Sequence, residues 1–189
     1  MNIGIGIDVE TSGANLLLNS LVAVGVAVMD LNTGNLIEPL KRWTLDISNI
    51  NWEQRCIDQF WSKNESLLEN FKNAPNKCAD MSKFALEFHK WYNEMLQKYN
   101  KFIFYTDFAV FDIAWVNIAL NKANLPPLYM LNGSWQNILD IDSFEKELNN
   151  VNIDMSDFTL VRHLPENDAY FIVLKYYRLC IKNKLINNK

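Results

Sequence analysis

The chain has 189 residues, of which 49% are hydrophobic and 21% charged, with a net charge of -4. That length and balance suit one folded domain over residues 1–189 and exclude disordered and membrane-spanning classes, since no apolar run approaches the ~20 residues a bilayer requires. The negative charge speaks against a broad duplex-gripping surface, which works by neutralising phosphates. It is no obstacle to an enzyme that holds only a chain end through cations and acidic ligands.

Residues 2–9 alternate with a period of two, which predicts a strand with Ile3, Ile5, Ile7 and Val9 on one face and Gly4, Gly6, Asp8 and Glu10 on the other. Ser20 to Leu31, rich in Val and Leu, predicts a second strand, joined to a third over 36–47 by the turn Asn32-Thr33-Gly34-Asn35. Asn51 with Gln54 has the form of a capping box for a helix running to about Phe71. Met81, Phe84, Ala85, Phe88, Trp91, Tyr92, Met95, Leu96 and Tyr99 recur at spacings of three and four, so the next helix carries one apolar stripe. A short buried strand at 102–105, a helix at 112–121, a fifth strand at 138–141 and a helix from Pro165 to about Ile186 complete the pattern. A three-strand meander followed by alternating helices and strands predicts an α/β fold, with a mixed five-stranded sheet and helices on both faces.

Chemistry concentrates at three places. Asp8 and Glu10, two apart on a strand, leave the same face, and two carboxylates pointing together repel unless a cation lies between them. Alone, the pair fits a solvated strand end better than a functional site. Asp112 follows Phe111 at a helix start, where it fits a first-turn acid stabilised by the helix dipole, and Asp107 competes for any functional role. His163 precedes Pro165 and Asp168 sits in the first turn after it, so both address one pocket. Histidine as a residue type titrates near neutrality and can take a proton from water. The other histidine, His89, lies opposite the apolar stripe and reads as solvated. Cys56, Cys78 and Cys180 share no metal-ligand spacing and read as reduced thiols.

In this order, Asp8-x-Glu10-Thr11, Phe111-Asp112 and His163-(x4)-Asp168-Ala169 resemble the three motifs of the DEDDh-type 3′–5′ exonucleases of the RNase H-like superfamily. Within that family the segment Gln59-Phe60-Trp61-Ser62-Lys63-Asn64 is similar to phage exodeoxyribonuclease A and its small bacterial exoribonuclease relatives. The resemblance implies an RNase H-like fold and two Mg²⁺ or Mn²⁺ ions held by Asp8, Glu10, Asp112 and Asp168. It further implies His163 as the general base. Thr11, Ser12 and Gly13 after the metal strand, with Phe108 and Trp61 as stacking surfaces, are then the expected contacts to a terminal nucleotide. Many members carry Asn before the Phe-Asp pair where this chain has Asp107-Phe108-Ala109-Val110, which keeps Asp107 as a second candidate ligand.

The expected partner is therefore the 3′ end of single-stranded or frayed nucleic acid, with DNA slightly ahead of RNA and nucleoside 5′-monophosphates as products. An exoribonuclease acting on short RNA and a silent nucleic-acid-binding domain of the same fold are the alternatives. The opening MNIGIGIDVE puts acids where a signal peptide would be basic, so a cytoplasmic location is expected. Richness in Asn, Lys and Ile agrees with an AT-rich genome, phage or viral genomes included.

Overall fold

The computed structural model describes residues 2–131, 133, 137–148, 151 and 153–185. The first predicted strand forms as β1 (Ile3–Thr11), paired antiparallel along its length with β2 (Leu21–Asp30). Every residue of β2 is buried, which explains its lack of alternation: a strand covered on both faces has no polar side. The turn at 31–34 closes a hairpin onto β3 (Asn35–Leu36), with Gly34 at φ +75°, a conformation its missing Cβ permits.

The third predicted strand is split. β3 ends at Leu36 and β4 (Lys41–Thr44) resumes the pairing with β2, so the sheet has six strands among the described residues, where five were expected. Pro39 lies in the gap and has no N–H to give to a ladder. β5 (Ile103–Thr106) runs parallel to β1, and β6 (Ile138–Asp140) parallel to β5. The path is β3-β2-β1-β5-β6, with β4 also on β2.

The helix predicted over 51–71 is three pieces: α1 (Gln54–Gln59), a 3₁₀ turn at Trp61–Lys63 and α2 (Glu65–Lys72). Asn51 is no cap. Its side chain donates to the Leu18 carbonyl (3.2 Å) and its own carbonyl accepts from the Ser12 hydroxyl (2.6 Å). The helix breaks because Trp61 turns inward, 1% exposed, to donate its indole N–H to the Thr11 carbonyl at 3.2 Å.

α3 (Met81–Tyr99) matches its stripe and is capped by Asp80, whose carboxylate accepts from the Lys83 N–H at 2.8 Å. Trp43 of β4 lies edge-on among Phe84, Phe88 and Trp91, with ring centroids 5.5–5.8 Å away. α3 and α4 (Ala109–Lys122) cover the sheet face carrying Ile3, Ile5, Ile7 and Val9. α5 (Ile141–Glu147), which the pattern did not predict, follows β6 directly. α6 (Pro165–Lys182) covers the opposite face, packing Ala169, Ile172 and Val173 against Ala27, Met29 and Tyr105. The predicted end of that helix at 186 lies outside the described residues.

Candidate active site

β1 and β5 are parallel, so their carboxyl ends coincide, and Asp8, Glu10 and the entry to α4 meet at one pole of the sheet. A crevice at the carboxyl ends of parallel strands is where open α/β sheets place ligands. α6 is brought to the same pole by two glycines. A Cβ on Gly6 would lie 1.8 Å from the Ala169 carbonyl oxygen, and one on Gly25 2.0 Å from the Glu166 nitrogen. The helix therefore rests its first turn on the bare backbone of β1 and β2, and Asp168 faces Asp8 and Glu10. Asp8 itself pairs across the ladder with Gly25.

Each acid is held by its own element. Asp112, buried in the first turn of α4, accepts from the Thr106 hydroxyl and, at 3.4 Å, from the Phe108 N–H. Asp168, in the first turn of α6, accepts the His163 N–H on Oδ2 at 2.8 Å and the Arg162 Nε–H on Oδ1. His163 adopts φ +65°. That left-handed backbone costs a residue with a Cβ about 1–2 kcal/mol. It aims the N–H at Asp168 and leaves the ring exposed, edge-on to Phe60 with centroids 5.2 Å apart. Ligand atoms of Glu10, His163 and Asp168 all lie within 4.8 Å of one another.

The electrostatics follow from this crowding. Burial, then repulsion from Glu10, Asp112, Asp168 and Asp107, holds the Asp8 carboxyl well above the usual range. Burial, then Asp168 and Asp112, does the same for Glu10. Burial pushes Asp112 up to about 6 although its two hydrogen bonds pull the other way. Asp107 is also pushed up to about 6 by burial, against the pull of Lys175 and Arg162, and its Oδ1 is buried without a hydrogen-bond partner. Among the described residues nothing donates a hydrogen bond to Asp8 or Glu10. Carboxylate oxygens from β1, α4 and α6, those of β1 without a donor, and one imidazole at the rim form a set that fits hard divalent cations such as Mg²⁺ or Mn²⁺.

The residues expected to touch a nucleotide fare differently. Trp61 is no stacking surface; it is core, and its indole is committed to the Thr11 carbonyl. Thr11 and Ser12 are buried and their hydroxyls are engaged, Thr11 with the Gly13 carbonyl (3.0 Å) and Ser12 with the Asn51 carbonyl. Gly13 is buried, and a Cβ there would meet Glu53 at 2.5 Å. Thr11 closes β1, and Ser12 and Gly13 shape the loop that follows. Phe108 is 58% exposed beside Asp112 and stays available. Sequence reasoning passed over Arg162, although its place next to His163 was a signal. It left the His163–Phe60 contact unseen, because the two rings are a hundred residues apart in the chain.

No protein-family model and no curated protein matches the chain. The fold, however, is shared with the solved structures of exonuclease I and Pop2p. Exonuclease I in a product-bound form superposes over 98% of this chain with a TM-score of 0.70 at 12% identity. Pop2p of S. pombe, in a form with Mg²⁺ and Mn²⁺ bound, superposes over 94% with a TM-score of 0.67 at 15% identity, and 82% of that protein is covered. E. coli exonuclease I in complex with a dT13 oligonucleotide gives a TM-score of 0.60 at 13% identity. The chain spans under half the length of exonuclease I, 45% and 42% in the two forms.

Proposed function

We propose that this chain is a single-domain, metal-dependent 3′–5′ exonuclease. It would release nucleoside 5′-monophosphates from single-stranded or frayed 3′ ends, with DNA slightly preferred. The observation that carries the reading is the convergence of Asp8, Glu10, Asp112 and Asp168, with raised carboxyl pKa values at three of them, beside an exposed histidine. The fold shared with exonuclease I and Pop2p supports it, as does the order of the three motifs. The preference for DNA rests on the 59–64 segment, similar to phage exodeoxyribonuclease A, and on the single-stranded DNA complexes of exonuclease I.

In this reading Asp8, Glu10, Asp112 and Asp168 would hold two Mg²⁺ or Mn²⁺ ions, and Asp107 would add negative potential. When bound, such ions acidify an attacking water and neutralise charge that builds on the phosphate. His163 would accept the proton of the attacking water. Its backbone is tied to Asp168 and its ring is steadied by the Phe60 edge, so the imidazole approaches the phosphate from a fixed side. Phe108 offers a face for the terminal base. End-labelled single-stranded DNA and RNA of one sequence, digested side by side with Mn²⁺, test the proposal. Stepwise shortening from the 3′ end, abolished in Asp8→Asn, is the expected result; no Mn²⁺-dependent release from either strand would leave only a binding module.

A further inference from the structure

Asp168 already has a donor on each oxygen: the His163 N–H on Oδ2 at 2.8 Å and the Arg162 Nε–H on Oδ1. The guanidinium also lies over the Phe171 ring, 4.0 Å from its centroid, and its charge reaches Asp107. The two partners differ in exposure. The Arg162 side chain is 45% exposed and that of Asp168 8%, so the arginine reaches in from the rim.

We infer that Arg162 is the internal counter-cation of this site, and that it couples metal loading to the arrival of a phosphate. The inference rests on the metal-centre reading above. An arginine cannot shed its charge at accessible pH, so a divalent ion that takes Asp168 Oδ1 must displace a permanent cation or sit against one. Phe171 gives the guanidinium a flat surface to slide on, and a planar fork of N–H donors matches the oxygens of a phosphate. A phosphate at the rim gives the displaced guanidinium a new anion. Phosphate then tightens metal binding, and metal tightens phosphate binding by the same factor. Arg162 in this role positions charge through Asp168.

Mn²⁺ binding, followed by the electron paramagnetic resonance of the free ion, tests this with and without deoxythymidine 5′-monophosphate as probe. In the wild-type chain the nucleotide tightens Mn²⁺ binding. Arg162→Ala is expected to bind Mn²⁺ on the order of fivefold or more tighter without nucleotide, and to lose most of the nucleotide-dependent gain. Arg162→Lys, which keeps the charge without the fork, should bind the bare metal like wild type and show a reduced gain. Equal or weaker Mn²⁺ binding by a folded Arg162→Ala, judged by circular dichroism, overturns the inference. A merely structural arginine would give that weakening. If the alanine variant does not fold, Arg162→Gln is read by the same criterion. Absence of Mn²⁺ binding in the wild-type chain overturns the metal-centre reading and this inference together. Wild-type binding with no rise in bare-metal affinity in the neutral variants overturns this inference alone.

Discussion

His163 combines three features in one residue: a left-handed backbone, an N–H committed to Asp168, and an exposed ring edge-on to Phe60. Removing the ring should leave Mn²⁺ affinity close to wild type and lower turnover by about 10²–10⁴-fold. Single-turnover digestion of labelled DNA measures this, and near-normal turnover in His163→Ala would remove histidine from the chemistry. Asp8 supplies the opposite case, a residue whose charge opposes folding. Burial and four neighbouring carboxylates raise its pKa, so Asp8→Asn should raise the Tm of the protein in EDTA at neutral pH by a few degrees, about 2–4 °C per kcal/mol of relieved repulsion. The same substitution should abolish the stabilisation by Mn²⁺. A fall in Tm in EDTA would mean that Asp8 is held by partners other than a cation.

Between elements, the decisive contact is α6 on β1 and β2, made possible at Gly6 and Gly25. A methyl group at Gly25 has no room, because backbone atoms of Pro165 and Glu166 stand 2.0 Å from its position. Gly25→Ala should therefore shift the first turn of α6, cost roughly 1–3 kcal/mol, and weaken Mn²⁺ binding because Asp168 moves with the helix. Denaturant unfolding and metal titration read the two effects separately; unchanged metal affinity would show that Asp168 does not depend on this seat. The break between α1 and α2 belongs to the same scale. Local pattern predicted one continuous helix, but the indole of Trp61 finds its partner fifty residues away on the Thr11 carbonyl, and the helix yields to reach it. That bond props the loop directly after the Asp8–Glu10 strand.

For the whole molecule, concentrating acids at one pole makes stability depend on pH in a recognisable way. Asp107 and Asp112 have folded pKa values of about 6, above the ordinary aspartate value near 3.9, so the folded state binds more protons than the unfolded one between those limits. Stability in EDTA is therefore lost as pH rises from about 4 to about 6. Acids with lowered pKa values, such as Asp46 and Asp140, act below that window. Mn²⁺ should cancel the loss, since it binds the deprotonated carboxylates, and at 100 times its dissociation constant should add about 2.7 kcal/mol. Thermal melts from pH 4 to 7.5 with EDTA or Mn²⁺ check this, and a Tm that climbs through pH 4–6 in EDTA would contradict the arrangement.

The amino-acid sequence alone carries the strand with Asp8 and Glu10, the apolar stripe of α3, the hairpin at Gly34 and the α/β order, because period and turn chemistry are local properties of the chain. It also put Asp168 in the first turn of a helix begun by Pro165. It could not determine where that helix rests, that Trp61 is core, or that Asp107 and Arg162 join the acidic pole. Those depend on pairs of residues far apart in the chain, brought within a few ångströms only when the sheet and its two helical layers close.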